Sequence, residues 1–85
     1  MTTQNDALLV AAKASVSRVE LTLRCCLFSC CGGGWMQRKG RATYSGMITT
    51  LECGFVIIQD APLGRVQQVM VALPDLISVD VLTPA

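Results

Sequence analysis

From residue 16 onward the apolar residues of this chain stop recurring at helical spacing and begin to alternate. Val19, Leu21 and Leu23 are separated by Arg18, Glu20, Thr22 and Arg24, the pattern of a strand with one buried and one wet face. A second run over 42–52 sets Tyr44, Gly46 and Ile48 on one face, and a glycine in mid-strand points to a sharp bend or a close backbone approach. Cys53-Gly54 reads as a tight turn, and Phe55-Val-Ile-Ile-Gln59 as a strand buried on both faces. Asp60-Ala-Pro-Leu-Gly64 is a turn, because proline presets φ and glycine accepts positive φ. A fourth strand spans about 65–73. Pro74-Asp75 interrupts it, and Ile77, Val79 and Val81 alternate with Ser78 and Asp80 in a fifth.

Ahead of the strands, residues 3–15 read as a short helix. Thr3 and Asp6 fit the capping pattern, with an acid three residues after the cap, and Leu8, Leu9, Ala12 and Val16 form one apolar stripe. Cys25–Cys31 either extends the first strand or opens a Cys- and Gly-rich loop over about 25–41, and the triple glycine at 32–34 breaks the strand in either case. One helix and five short strands with brief connections make a mainly β fold. The strands form an antiparallel meander that must curl and close to protect its edges. A small, strongly bent five-stranded barrel over 16–82, with the helix at one end, is the economical solution within one domain, 1–85.

Composition narrows what such a barrel can do. At 52% hydrophobic and 15% charged, the 85-residue chain is too apolar for disorder, yet short enough that subunit association is a natural source of stability. Histidine is absent, which removes the usual general base and every Cys–His or Ser–His arrangement. Six scattered carboxylates offer no adjacent pair, so the reading is a binding or assembly protein and not an enzyme. The net charge is +1 but unevenly divided: residues 1–41 hold six bases and two acids, residues 42–85 one base and four acids. The longest uncharged stretch, 25–37, is too short for a membrane-spanning helix, which takes about 20 apolar residues. An odd count of five cysteines and an N-terminus with no basic segment point to a reducing, cytoplasmic setting.

The order and spacing of these elements resemble the Sm-like (LSm) family of ring-forming RNA-binding proteins. The stretch Tyr44-Ser-Gly-Met-Ile-Thr-Thr-Leu-Glu-Cys-Gly-Phe-Val-Ile-Ile-Gln-Asp60 is similar to its first motif through Gly46, Glu52 and Asp60. Val69-Met-Val-Ala-Leu-Pro-Asp-Leu-Ile-Ser-Val79 is similar to the second, and together with the helix and first strand the likeness covers about 60–75 residues. The resemblance implies an Sm-like (SH3-like) barrel in a homo-oligomeric ring. The fourth strand of one subunit would meet the fifth of the next, through Val69 and Val71 on one side and Ile77, Val79 and Val81 on the other. It also implies single-stranded RNA near the turns at Cys53, Gly54 and Pro74. The chain departs from the family there: Gly54 stands where the bacterial member has a stacking aromatic. Leu73-Pro74 replaces the Lys-His or Arg-Gly pair of that turn.

Two further clusters carry chemistry. Trp35 beside Arg38, Lys39 and Arg41 could stack a base and contact phosphates, a combination suited to single strands; the bland alternative is a solvated loop with Trp35 folded onto the barrel. Cys25, Cys26, Cys30 and Cys31 invite a metal or redox reading, but adjacent residues of a strand point to opposite faces and cannot converge on one tetrahedral ion. These cysteines read instead as small buried apolar residues, with no cofactor implied. Three functions follow: an Sm-like ring that binds single-stranded RNA or scaffolds an RNA–protein assembly, an oligomeric protein-interaction module without RNA, or, ranked last, a cysteine-based metal or redox protein.

Overall fold

The computed structural model of the chain describes residues 3–82. It holds helix α1 (Thr3–Ser15) and strands β1 (Arg18–Cys30), β2 (Met36–Glu52), β3 (Phe55–Asp60), β4 (Gln67–Ala72) and β5 (Leu76–Leu82). All five strands are antiparallel and belong to one sheet of order β2-β3-β4-β1-β5, in which β1 also pairs with β2. The mainly β class and the five strands match the sequence reading.

Helix α1 buries Leu9 and Ala12 and packs against β2 and β5. Its stripe is one residue shorter than the spacing suggests, because Val16 is 69% exposed. The reason lies in how the helix stops. The Ser17 N–H donates to the Ala12 carbonyl and the Val16 N–H to the Lys13 carbonyl, with Val16 at φ +55. That is a Schellman turn with a β-branched residue in the place glycine usually takes. The Thr3 side chain, which the capping pattern invokes, lies outside the described residues.

The alternation in β1 works as read up to Leu23. Val19, Leu21 and Leu23 are fully buried opposite Gly46, Tyr44 and Ala42. Between Leu23 and Cys25 β1 advances two residues while β2 retreats three, from Ala42 to Lys39, so β2 carries a bulge. Gly40, inside that bulge, sits at φ +104, a conformation costly for any residue with a Cβ. Beyond it the burial phase inverts, and Cys26 and Phe28 face inward.

Of the two readings of Cys25–Cys31 the strand extension holds, and the loop over 25–41 is corrected. β1 runs through Cys30 and β2 resumes at Met36, leaving only residues 31–35 as connection. The glycines bend the chain locally, but the far half of β1 has ladder partners on both edges. Leu27–Cys30 pairs with β4 on one side while residues 25–28 pair with 36–39 of β2 on the other. Two ladders hold extended a segment that composition alone reads as irregular. β3 differs too: it buries Val56 and Ile58 but leaves Phe55 and Ile57 partly exposed, the pattern of a strand with one covered face.

Gly46 fulfils its expected role. A Cβ there would lie 2.6 Å from the Gln59 carbonyl oxygen and 2.9 Å from its carbon, so β2 and the end of β3 approach closer than any side chain permits. Val56, Ile58, Val69, Val71, Leu73, Leu76 and Val79 complete the core with the β1 and α1 residues. No helix among the described residues is long and apolar enough to cross a membrane.

Candidate functional site

Two turns expected to work together do meet. The Cys53-Gly54 turn between β2 and β3 is tied to the short 3-10 turn Leu73–Asp75 between β4 and β5, where the Leu73 N–H donates to the Gly54 carbonyl at 2.9 Å. A cavity lies on each side of this seam, and Cys53 and Gly54 line both. The larger, about 550 Å³, opens between Cys25, Leu27, Phe55, Met70 and Asp75. The smaller, about 340 Å³, is bounded by α1 at Asp6 and Val10 and by Leu51, Glu52, Leu73 and Pro74.

The charges that line these cavities are acidic. Asp75 lines the first, Asp6 and Glu52 the second, and no lysine or arginine lines either. A polyanion approaching Cys53, Gly54 and Pro74 would meet carboxylates, the opposite of the field that holds phosphates. The Cys25 thiol donates to Asp75 Oδ2 at 3.2 Å. That hydrogen bond is the main reason the thiol is pushed above 9.0, with desolvation and the negative charge of Asp75 adding to it. Burial pushes the Cys26 thiol up as well, against the opposing pull of Arg38. Both thiols are therefore held protonated at neutral pH, the unreactive form.

Asp75 is the site residue that sequence reading missed. It stands fifty positions from Cys25, and next to it the Pro74 carbonyl accepts a hydrogen bond from Arg24 at 3.2 Å. No local pattern announces such a latch, which depends on β1 and the β4–β5 turn lying side by side.

The basic cluster is dispersed. Residues 38 and 39 project from opposite faces of β2. Arg38, opposite Cys26, lies 4.2 Å over the Phe28 ring, and Lys39 stands opposite Cys25 on the other face. All three cations are exposed, and Trp35 is 42% exposed in the connection at the end of the hairpin. Trp35 is thus partly covered and partly open, and the cations beside it do not form one surface.

The four clustered cysteines divide as well. Cys26 is buried, as a small apolar residue would be, and Cys25 is half-buried on Asp75. Cys30 and Cys31 are joined as a disulfide of adjacent residues, with Cys31 at φ +64 where the strand turns away. Among the described residues no three Cys, Asp or Glu side chains come together in a way that would hold a metal ion.

The expected subunit edge is corrected on its β4 side. Residues 67–70 of β4 are paired with β3 on one edge and with β1 on the other, and Val69 and Val71 lie in the chain's own core. The long β1 has taken the place a neighbouring subunit would occupy. β5 is different: among the described residues it pairs only with β1, and although Val79 is buried, Ile77, Val81 and Leu82 are each more than a third exposed. Compared with known proteins, the chain matches no family model, no curated protein and no solved structure.

Proposed function

We propose that the chain is a protein-interaction module that assembles into homo-oligomers through the edge of its sheet and performs no chemistry of its own. One observation carries this reading: β5 is an edge strand with an unpaired ladder and a row of exposed apolar residues, Ile77, Val81 and Leu82. Such an edge on a small domain invites another strand, and an assembly that covers it also supplies the stability a short chain lacks. The pairing circuit β1–β2–β3–β4–β1 supports a closed Sm-like barrel as the body of the module. The test is the mass of the native particle by light scattering in reducing buffer. A multimer is expected; a monomer at high micromolar concentration would remove the reading.

Single-stranded RNA is the second reading, and Trp35 favours it. An exposed indole at the end of a hairpin bearing Arg38, Lys39 and Arg41 is a place where a base could stack. On this reading Trp35→Ala weakens binding of a single-stranded oligonucleotide by about 1–3 kcal/mol at fixed salt. The split cations and the carboxylates around Cys53, Gly54 and Pro74 weigh toward the protein interface.

A further inference from the structure

We infer that β5 of one copy pairs with the free edge of β2, over residues 36–45, of a second copy. The inference rests on the assembly reading above and names its partner surface. Among the described residues, the two longest stretches of ladder without a partner on one side are β5 and the distal half of β2. β5 is paired only with β1, and β2 over residues 36–45 is also paired only with β1, since β3 joins it from Met47 onward.

Charge selects between the ways these edges can combine. Glu20 of β1 stands directly opposite Asp80 of β5, a like-charge cross-strand pair of the kind that destabilises a sheet. The one ion pair among the described residues is Arg18 with Asp60 at 3.2 Å, so neither carboxylate is neutralised within the chain. Arg38, Lys39 and Arg41 on the free half of β2 are likewise exposed and outside any ion pair. β5 carries no cation, so β5 against β5 offers Asp80 no opposite charge in any register. Two β2 arms would bring only cations together over the 38–41 run. β5 against β2 alone joins opposite charges, with Ile77, Val81 and Leu82 available to Met36 and Trp35 at the end of the arm. Because the two surfaces differ, the contact is heterologous, and repeating it makes a ring or an open chain.

Two charge-reversed proteins test this. Glu20→Arg/Asp80→Arg makes the β5 side basic, and Lys39→Glu/Arg41→Glu makes the arm acidic. Alone, each should assemble at least about tenfold more weakly than the unaltered protein, because its edges now carry like charges. An equimolar mixture should regain a mixed particle, since each acidic surface then has a basic one to meet. The unaltered particle should also dissociate at least about tenfold more readily in high than in low salt. A monomeric unaltered protein overturns the assembly reading, and the inference with it. A particle that persists in both variants and in high salt overturns the β5–β2 pairing and leaves assembly standing. So does a mixture of two variants, each with unaltered circular dichroism, that stays dissociated. A particle that falls apart on ribonuclease treatment replaces direct edge pairing with RNA-bridged assembly.

Discussion

The two halves of the β1–β2 hairpin are built from the same ladder but held by different forces. At its base, Val19, Leu21 and Leu23 of β1 are fully buried against Gly46, Tyr44 and Ala42 of β2, under the helix residues Leu9 and Ala12. In the distal half, beyond the bulge at Gly40, every residue of β2 from Met36 to Arg41 is exposed. Only Cys26, Phe28 and Ser29 of β1 are buried there. The base is therefore stabilised by apolar burial, whereas the arm depends on ladder hydrogen bonds, its contact with β4 and the Arg38–Phe28 stack. A single hairpin can thus combine a rigid root with a solvent-facing arm, and the arm is the half that carries the charges.

The largest effect is expected where the base admits no extra atom. Gly46→Val places carbon against the Gln59 carbonyl, and neither backbone can retreat without parting β2 from β3. A loss of about 3 kcal/mol or more in chemical denaturation is expected, and an unchanged midpoint would show that the close approach does not exist. Next comes a matched pair of leucines. Leu21→Ala, at a site with no exposure, should cost about 3 kcal/mol, and Leu27→Ala, half-buried in the arm, about 1 kcal/mol. Equal losses from the two would erase the distinction between root and arm.

That distinction also marks how far the sequence could be read. The base was legible because burial there has period 2 and nothing interrupts it; the helix was legible from its helical spacing, and the turns at Cys53-Gly54 and Pro74-Asp75 from their glycine and proline. Gly46 was legible for another reason, since a strand-interior glycine has few physical explanations besides close approach. The arm was not. Its strand character comes from β4, forty residues away in the chain, and its change of phase from a bulge that no spacing announces. The candidate site fared likewise. The exposed β5 residues Ile77 and Val81 could be named, but the burial of Val69 and Val71 follows from the core that β4 shares with β3 and β1. Trp35 and the three cations were found as a run, and only strand alternation shows that they do not converge.

The smallest expected effect lies at the joint between root and arm, where Arg24 and Cys25 hold the β4–β5 turn. The Asp75 carboxylate accepts the Cys25 S–H, which favours the protonated thiol, and its charge repels a thiolate; both raise the thiol above 9.0. Asp75→Asn keeps the shape and removes the charge, so the thiol should ionise at lower pH. Alkylation of Cys25 by iodoacetamide at mildly alkaline pH should then run several-fold faster than in the unaltered protein, with the exposed Cys53 as internal reference. The sign carries over to stability. A thiol that holds its proton more tightly when folded stabilises the fold fully below its unfolded value of 9.0. That contribution fades as pH rises through 9.0 toward the folded value. The unaltered protein should therefore lose stability on this alkaline limb more steeply than Asp75→Asn. Equal alkylation rates in the two proteins would mean that Cys25 and Asp75 do not meet, and the joint would then be held by the Arg24 hydrogen bond to Pro74 alone.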